Sequence, residues 1–279
     1  MRWAIGVGFF LLSQTLSAQT PDAAEIMRRV SGNLDREEAA RASFVYDQSV
    51  FVRLKRANGK LAREESREYT VAPTAKGAER KLVGVQGKIL DGSRTINYVE
   101  AGFHRKALDI DGALVDSFAR EVASRKSAIP NMDWFPFEAK QLDSYSFKLE
   151  GEERYHDYDV YRISFRETDP ENTWEGEALI ERNEFQPVLV TTAWTGHIPK
   201  AVIIALGTNV KQIGAKITFR RFDRNVWFPV STGGELKVRV LFGYARTIAF
   251  SSMSSGFRKT DVKSLIEFDG EENARENKQ

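Results

Sequence analysis

The sequence predicts an α+β fold: a large curled antiparallel β-sheet, an unclosed half-barrel, with helices packed on its concave face. Three observations carry that expectation. From Ser43 onward, apolar residues recur at every second position in one short stretch after another, the period of a strand with one buried face. Asn58-Gly59, Asp91-Gly92 and similar short turns join these stretches, which leaves neighbouring strands antiparallel. Residues 22–42 and 111–125 instead place apolar residues at helical spacing. An open sheet of about ten strands twists and cannot stay flat, so it curls around whatever covers one face.

Met1-Arg2 supplies a positive charge, Trp3 to Leu12 is an unbroken apolar run, and Ser13 to Ala18 is small and polar. That is the pattern of a secretory signal peptide over residues 1–18, cut after Ala18. An apolar run of this length rises about 15 Å as a helix, half of the roughly 30 Å hydrocarbon core, so an anchor is the poorer explanation.

The first helix is expected over 22–42. Asp22-Ala23-Ala24-Glu25 has the form of a capping box, and Ile26, Val30 and Leu34 follow as an apolar stripe. In the first strand Phe44, Tyr46, Val50, Val52 and Leu54 share one face, opposite Asp47, Ser49, Arg53 and Lys55. Its return strand, 60–72, is charged on both faces and is expected at a sheet edge or over solvent. Cross-strand ion pairs of Arg53, Lys55 and Arg56 with Glu64, Glu65 and Glu68 follow from that pairing. A second basic group is Arg220, Arg221 and Arg224. Both groups also suit transient contact with anionic lipid headgroups at a membrane surface.

Further strands are expected over 80–85, 95–99, 145–150, 158–166, 174–181, 188–195, 215–222, 226–231, 236–250 and 262–268. Between the early and late strands, 111–125 puts Leu114, Val115, Phe118 and Val122 on one helical face, with Asp111 as N-cap. A Pro-containing loop, 127–138, carries Trp134, Phe135 and Phe137. Residues 198–206 begin with an Ile-Pro pair and read as a short helix or flap. Residues 269–279 are all polar and read as a disordered tail. No linker separates 19–268, which reads as a single domain.

Composition narrows the chemistry. The 279 residues include no cysteine, which excludes disulfides, thiolate metal sites and a cysteine nucleophile. A net charge of +2 does not suit a nucleic-acid binder. No phosphate-binding loop, nucleophile elbow or paired-histidine zinc motif occurs. His104, His156 and His197 are isolated, so no metal site is expected. Asp109-Ile110-Asp111-Gly112 lacks the distal ligands of a calcium loop. Glu175 and Glu177 are carboxylates of the kind a glycosidase needs, but a strand's outer face is ordinarily charged. No catalytic residue and no cofactor are expected. The aromatic load is the stronger signal: Trp134, Phe135, Phe137, Trp174, Trp194, Trp227 and Phe228 fill either a packed core or the wall of a cavity.

The order of elements also resembles a known family. The signal peptide and first helix lead to the strand Phe44-Val45-Tyr46-Asp47-Gln48-Ser49-Val50, then to an Asn-Gly hairpin, Leu90-Asp91-Gly92, Tyr98 and an inserted helix. Gly176-Glu177-Ala178-Leu179-Ile180-Glu181 later precedes Gln186-Pro187-Val188. This resembles the outer-membrane lipoprotein carrier superfamily, the LolA-like half-barrels, and in particular its secreted bacterial members. The stretch after Gly92 departs from the shorter carrier pattern, and the arginine that secures the lid in those carriers is assigned to no residue here. The resemblance implies a periplasmic, non-catalytic protein that holds lipid or lipoprotein acyl chains in a hydrophobic cavity and meets a partner protein at the inner or outer membrane. Phe44, Tyr46, Val50, Phe118, Trp134, Phe135 and Phe137 would line that cavity, beneath the helices at 22–42 and 111–125. The alternative is an envelope protein that uses the same half-barrel for structural or regulatory interaction; a periplasmic hydrolase is the third reading.

Overall fold

Strand pairing follows the chain in two runs that meet where the first strand finds the last. The computed structural model describes residues 21–74, 77–124, 135–169, 174–195, 208–222, 226–240 and 244–260. Helix α1 (Ala23–Arg41) leads into β1 (Phe44–Arg56), β2 (Leu61–Thr74), β3 (Gly77–Asp91) and β4 (Arg94–Tyr98). Helix α2 (Ile110–Ser124) and a 3-10 turn (Ala139–Ser144) precede β5 (Tyr145–Tyr155), β6 (Tyr158–Glu167), β7 (Trp174–Glu181) and β8 (Pro187–Trp194). The last strands are β9 (Thr208–Phe222), β10 (Val226–Val240) and β11 (Ala245–Lys259). Among the described residues these form one antiparallel sheet in the order β4-β3-β2-β1-β11-β10-β9-β8-β7-β6-β5. Edges β4 and β5 do not pair, so the sheet is an unclosed half-barrel, as the alternation predicts.

The turn chemistry does what the residues allow. Gly59 (φ 78°) and Gly92 (φ 61°) take left-handed conformations that glycine adopts without a Cβ penalty. Asn58 Oδ1 accepts from the backbone N–H of Lys60 at 3.1 Å, which braces the β1–β2 turn.

Both helices cover the same face. In β1 the buried residues are the even ones, from Phe44 to Leu54. Leu54 pairs with Ile248, which pairs with Leu236; Gly234, on the same face as Leu236, pairs with Ala215. The apolar face is therefore continuous across β1, β11, β10 and β9. Two clusters occupy it. The larger joins Ile26, Met27, Val30 and Leu34 of α1 to Phe135, Phe137 and the inward residues of β5 to β9, with Trp227. The smaller joins Val115 of α2 to Val50, Val52, Leu54, Ala62, Tyr69, Val238 and Ile248.

Several expectations are corrected. The return strand β2 lies inside the sheet, between β3 and β1, not at its edge. Its odd-numbered residues from Arg63 onward are buried although three of them are charged, and α2 lies over the charged ones. Of the three glutamates expected to pair across the first hairpin, Glu64 meets Arg53 at 3.0 Å, while Glu65 turns inward and Glu68 accepts from Ser49 at 2.8 Å. The capping box at Asp22 does not form: Asp22 makes no side-chain cap bond, and Glu25 pairs with Arg28 and Arg29 instead. Helix α2 is capped by Asp109, whose Oδ1 accepts from the Gly112 N–H at 2.9 Å; Asp111 is already inside the helix. Residues 231–236, expected to separate two strands, lie inside β10, and the expected strand 236–250 is divided between the end of β10 and the start of β11 at Ala245. The expected signal peptide at 1–18, the segment 198–206, the strand 262–268, the tail 269–279, Trp134, Arg224 and His197 lie outside the described residues.

Candidate functional site

Helix α2 lies on a strand whose inward face is ionic. Successive inward positions on β2 carry Arg63, Glu65 and Arg67, and all three are buried. Buried charges are tolerable only when paired and hydrogen-bonded, and here each one is. Arg67 Nε donates to Glu65 Oε1 at 2.6 Å, and its Nη2 donates to Asp116 Oδ1 on α2 at 2.9 Å. Arg63 Nη1 donates to Asp109 Oδ2 at 3.1 Å, Nη2 to the Phe103 carbonyl at 2.7 Å, and Nε to the Tyr98 hydroxyl at 2.7 Å. That hydroxyl passes its own proton toward Glu65 Oε2 at 2.7 Å. The Tyr98 ring is stacked on Phe103 and lies under the Arg63 guanidinium, 4.6 Å from centroid to Cζ.

Local sequence explains how these groups reach one another. Glu65 pairs with Gly87 on β3, and Gly87 pairs with Tyr98 on β4, so the three share one cross-strand row. With no side chain at 87, the phenol lies across β3 and reaches Glu65. On the opposite flank Asp111, in the first turn of α2, accepts from Arg246 Nε at 2.8 Å and Nη2 at 3.0 Å, and from the Tyr244 hydroxyl. The N-terminal half of α2 is thus clamped from β2 through Asp109 and Asp116, and from β11 through Asp111.

Protonation follows the same contacts. Burial alone would lower the Arg67 pKa, but its hydrogen bonds to Glu65 and Asp116 outweigh it and hold the guanidinium firmly charged. Burial, then the bond to Glu65, pushes the Tyr98 hydroxyl above the ordinary phenol range. Tyr244 is raised by burial and by its bond to Asp111. For Asp109 burial pushes upward, but the N–H groups of Arg105 and Gly112, with Arg63, leave its pKa below the ordinary carboxylate value.

The two helices are held by different physics. Helix α1 inserts Ile26, Met27, Val30 and Leu34, each almost fully buried, and complete burial stabilises by about 1.5–3 kcal/mol per such side chain. Its C-terminal half is riveted further. Glu37 accepts from the Trp227 N–H at 3.0 Å and from Gln186 Nε2 at 2.6 Å. Helix α2 buries only Val115 and Ala119 fully among its large or small apolar residues with described side chains. Its Leu114 and Phe118 stay half-buried, with Leu236 and Phe250 facing them from the sheet; Phe118 stacks on Phe250 at 5.9 Å. Polar contacts, not apolar burial, position α2.

The residues picked out from sequence fall in three places. Phe44 meets Phe228 edge-on at 5.1 Å, and Tyr46 stacks on Phe257 at 5.1 Å, at one end of the inner face. Val50 and Phe118 come together in the α2 cluster. Phe135 and Phe137 stack at 6.1 Å inside the larger core, with Phe137 edge-on to Phe219. Arg63, Glu65, Arg67, Tyr98, Asp109 and Asp116 were missed. Their signal was the strict period of two in Arg63-x-Glu65-x-Arg67-x-Tyr69-x-Val71, where charges share a phase with apolar residues.

Other chemistry-bearing residues are occupied elsewhere. Glu175 pairs with Arg166 at 2.5 Å and Glu177 with Arg162 at 3.3 Å on strands β6 and β7. His156 is in the β5–β6 turn at φ 50°. Among the described residues no three His, Cys, Asp or Glu side chains gather so as to hold a metal ion. No described helix is long and apolar enough to cross a membrane. No known family model matches the chain, and no curated protein matches it either.

Proposed function

We propose that this chain is an exported, non-catalytic carrier that shields an acyl chain of a lipid or lipoprotein between α2 and the inner face of the half-barrel. The observation that supports the reading is the contrast between the helices. Helix α2 covers half-buried apolar side chains and is fastened by ion pairs at Asp109, Asp111 and Asp116. Such contacts are directional: a small displacement of the helix breaks them together, and water then solvates the separated charges. The apolar packing of α1 offers no comparable release.

In this reading α2 is a lid and Arg63 its catch. An acyl chain entering beneath the lid would lie along Leu114, Phe118, Leu236 and Phe250. Burying a sixteen-carbon chain yields on the order of 10 kcal/mol gross, at about 0.8 kcal/mol per methylene. That is of the same order as the roughly 3–5 kcal/mol per broken pair taken over the three clamps at Asp109, Asp111 and Asp116, so cargo holds the lid displaced only where water solvates the separated charges. The sequence's resemblance to the lipoprotein carriers supports the same reading, and with it a periplasmic location.

The test is native mass spectrometry of the mature protein, with lipid extraction, beside uptake of a fluorescent fatty acid. Leu114→Ser/Phe118→Ser is the informative variant, since both side chains are half-buried and their loss leaves the larger core intact. Phe135 is unsuitable because it belongs to that core. The expected result is a bound lipid, and uptake lost in a variant whose circular dichroism is unchanged. Undiminished uptake in the variant, or a wild-type protein that neither carries nor takes up lipid, overturns the carrier reading in favour of an envelope interaction module.

A further inference from the structure

We propose that the rim of the sheet beside the N-terminus of α2 is a docking face for an anionic phospholipid surface. The inference rests on the carrier reading and adds where the cargo is exchanged. Three connections converge on this rim. Arg56, at the end of β1, hydrogen-bonds the carbonyls of Leu61 and Leu90 and pairs in register with Arg246. Arg105 reaches Asp91, beside the β3–β4 turn, at 2.7 Å. The β1–β2 turn, the β3–β4 turn, the segment before α2 and the start of β11 therefore form one end of the half-barrel.

That end is unbalanced in charge. Lys60, Arg94, Arg105, Lys106 and Arg239 are all exposed there. Among the described residues, the carboxylates on these connections are Asp91, Asp109 and Asp111, of which Asp109 is engaged by Arg63 and Asp111 by Arg246 and Tyr244. Of these three, Asp91 meets an exposed cation, Arg105, and that pair is about half open to solvent on both sides, where such pairs contribute little. In a chain whose net charge is only +2, this is a local concentration of positive charge.

Apolar exposure coincides with it. Leu108 is 75% exposed and Ile110 38% exposed, immediately after Arg105 and Lys106. Both border a cleft of about 340 Å³ whose wall includes Arg56, Lys106, Tyr244 and Arg246. Cations that meet headgroup phosphates, around large aliphatic side chains that enter the acyl boundary, are the two components of an interfacial anchor. A phospholipid surface satisfies both at once, whereas an acidic soluble partner would satisfy the charge and leave Leu108 unexplained. The face also adjoins Asp109 and Asp111, so the docked rim is the end at which the lid is clamped.

The experiment is co-sedimentation of the mature chain with vesicles of phosphatidylcholine alone or mixed with phosphatidylglycerol. Binding is expected only to the mixed vesicles, and to weaken as salt rises. Arg105→Glu/Lys106→Glu should reduce it at least about a hundredfold, and Lys60→Glu/Arg94→Glu, on two separate turns, should do likewise. Leu108→Ser should weaken binding several-fold with the salt dependence retained. Lys148→Glu, at the far edge on β5, should change nothing. Equal binding to neutral vesicles, no vesicle binding by the wild-type chain, or rim variants that melt and bind like wild type would each overturn the proposal. Fatty-acid uptake in vesicle-free solution separates the two readings. Uptake intact without docking sinks the docking face alone, and docking intact without uptake sinks the carrier reading alone.

Discussion

Tyr98 lies across Gly87: a Cβ placed on Gly87 would sit 2.0 Å from Cζ of the tyrosine ring. The two are cross-strand partners on β3 and β4, and the absent side chain is the space through which the phenol reaches Glu65 and Arg63. Gly87→Ala is therefore expected to expel the ring and cost about 2 kcal/mol or more, from overpacking and from a buried carboxylate losing a donor. In a Tyr98→Ala background the same change should cost far less. Chemical denaturation of the four proteins in that cycle measures the coupling; strictly additive losses would show that the ring does not depend on the glycine.

Gly112 sets two effects against each other. Alanine in an exposed helix gains up to about 1 kcal/mol over glycine. Here, however, a Cβ would come within 2.8 Å of Arg63 Nη1 and 2.9 Å of both Asp109 Oδ2 and His104 Nδ1. The crowded atoms belong to the clamp, and Arg63 is fastened at every nitrogen. Gly112→Ala is expected to destabilise, by about 1–3 kcal/mol. A raised melting temperature would mean that α2 rides higher over β2 than these contacts require.

The different anchoring of the helices predicts different opening. Asp116→Asn weakens the link to Arg67 without removing apolar area, and Arg63→Met takes a buried cation away from Asp109 and Glu65, which keep their other donors, at an expected cost of up to about 3–5 kcal/mol. Amide hydrogen exchange should accelerate along α2 in Asp116→Asn while α1 stays protected, since local opening is governed by local contacts. Equal acceleration in both helices would identify a single cooperative unit and remove the basis for a lid.

Titration of the clamp works in opposite directions at the two ends of the pH scale. Tyr98 and Tyr244 have raised pKa values in the folded chain, first from burial and then from their carboxylate partners. The folded state then holds more protons than the unfolded one above about pH 10, the ordinary phenol value. Their contribution is complete below that pH and is lost as pH rises through the folded values. Asp109, with a lowered pKa, contributes above the ordinary carboxylate value near 3.9 and loses that contribution as pH falls through its folded value. Denaturant midpoints followed across pH should show the alkaline loss shrinking in Tyr98→Phe/Tyr244→Phe. The acid loss should shrink in Asp109→Asn, which keeps the helix cap but not the charge. Unchanged profiles would place these groups outside the groups that set stability.

Much of this architecture was readable because it is local. The even-numbered face of β1, the stripe of Ile26, Val30 and Leu34, and the turns at Asn58-Gly59 and Asp91-Gly92 depend on residues within a few positions of one another. The capping box at Asp22 looked equally local, yet Glu25 found Arg28 and Arg29 one turn away. The site was harder to read. Phe118 was picked out, and it faces Phe250 beneath α2, but Phe135 and Phe137 belong to the core under α1.

What the sequence by itself determined is the period of each segment, and so which side chains of a strand travel together. It placed Arg63, Glu65 and Arg67 in phase with Tyr69 and Val71, but not on the inside. Only the tertiary structure decided that, by laying α2 over β2 and pairing β1 with β11 some two hundred residues along the chain. The physical reason is that apolar residues prefer burial wherever they are, whereas a charge can be buried only where its partners arrive. Asp109, Asp116 and the Tyr98 hydroxyl reach β2 from separate segments, and no local pattern announces their meeting.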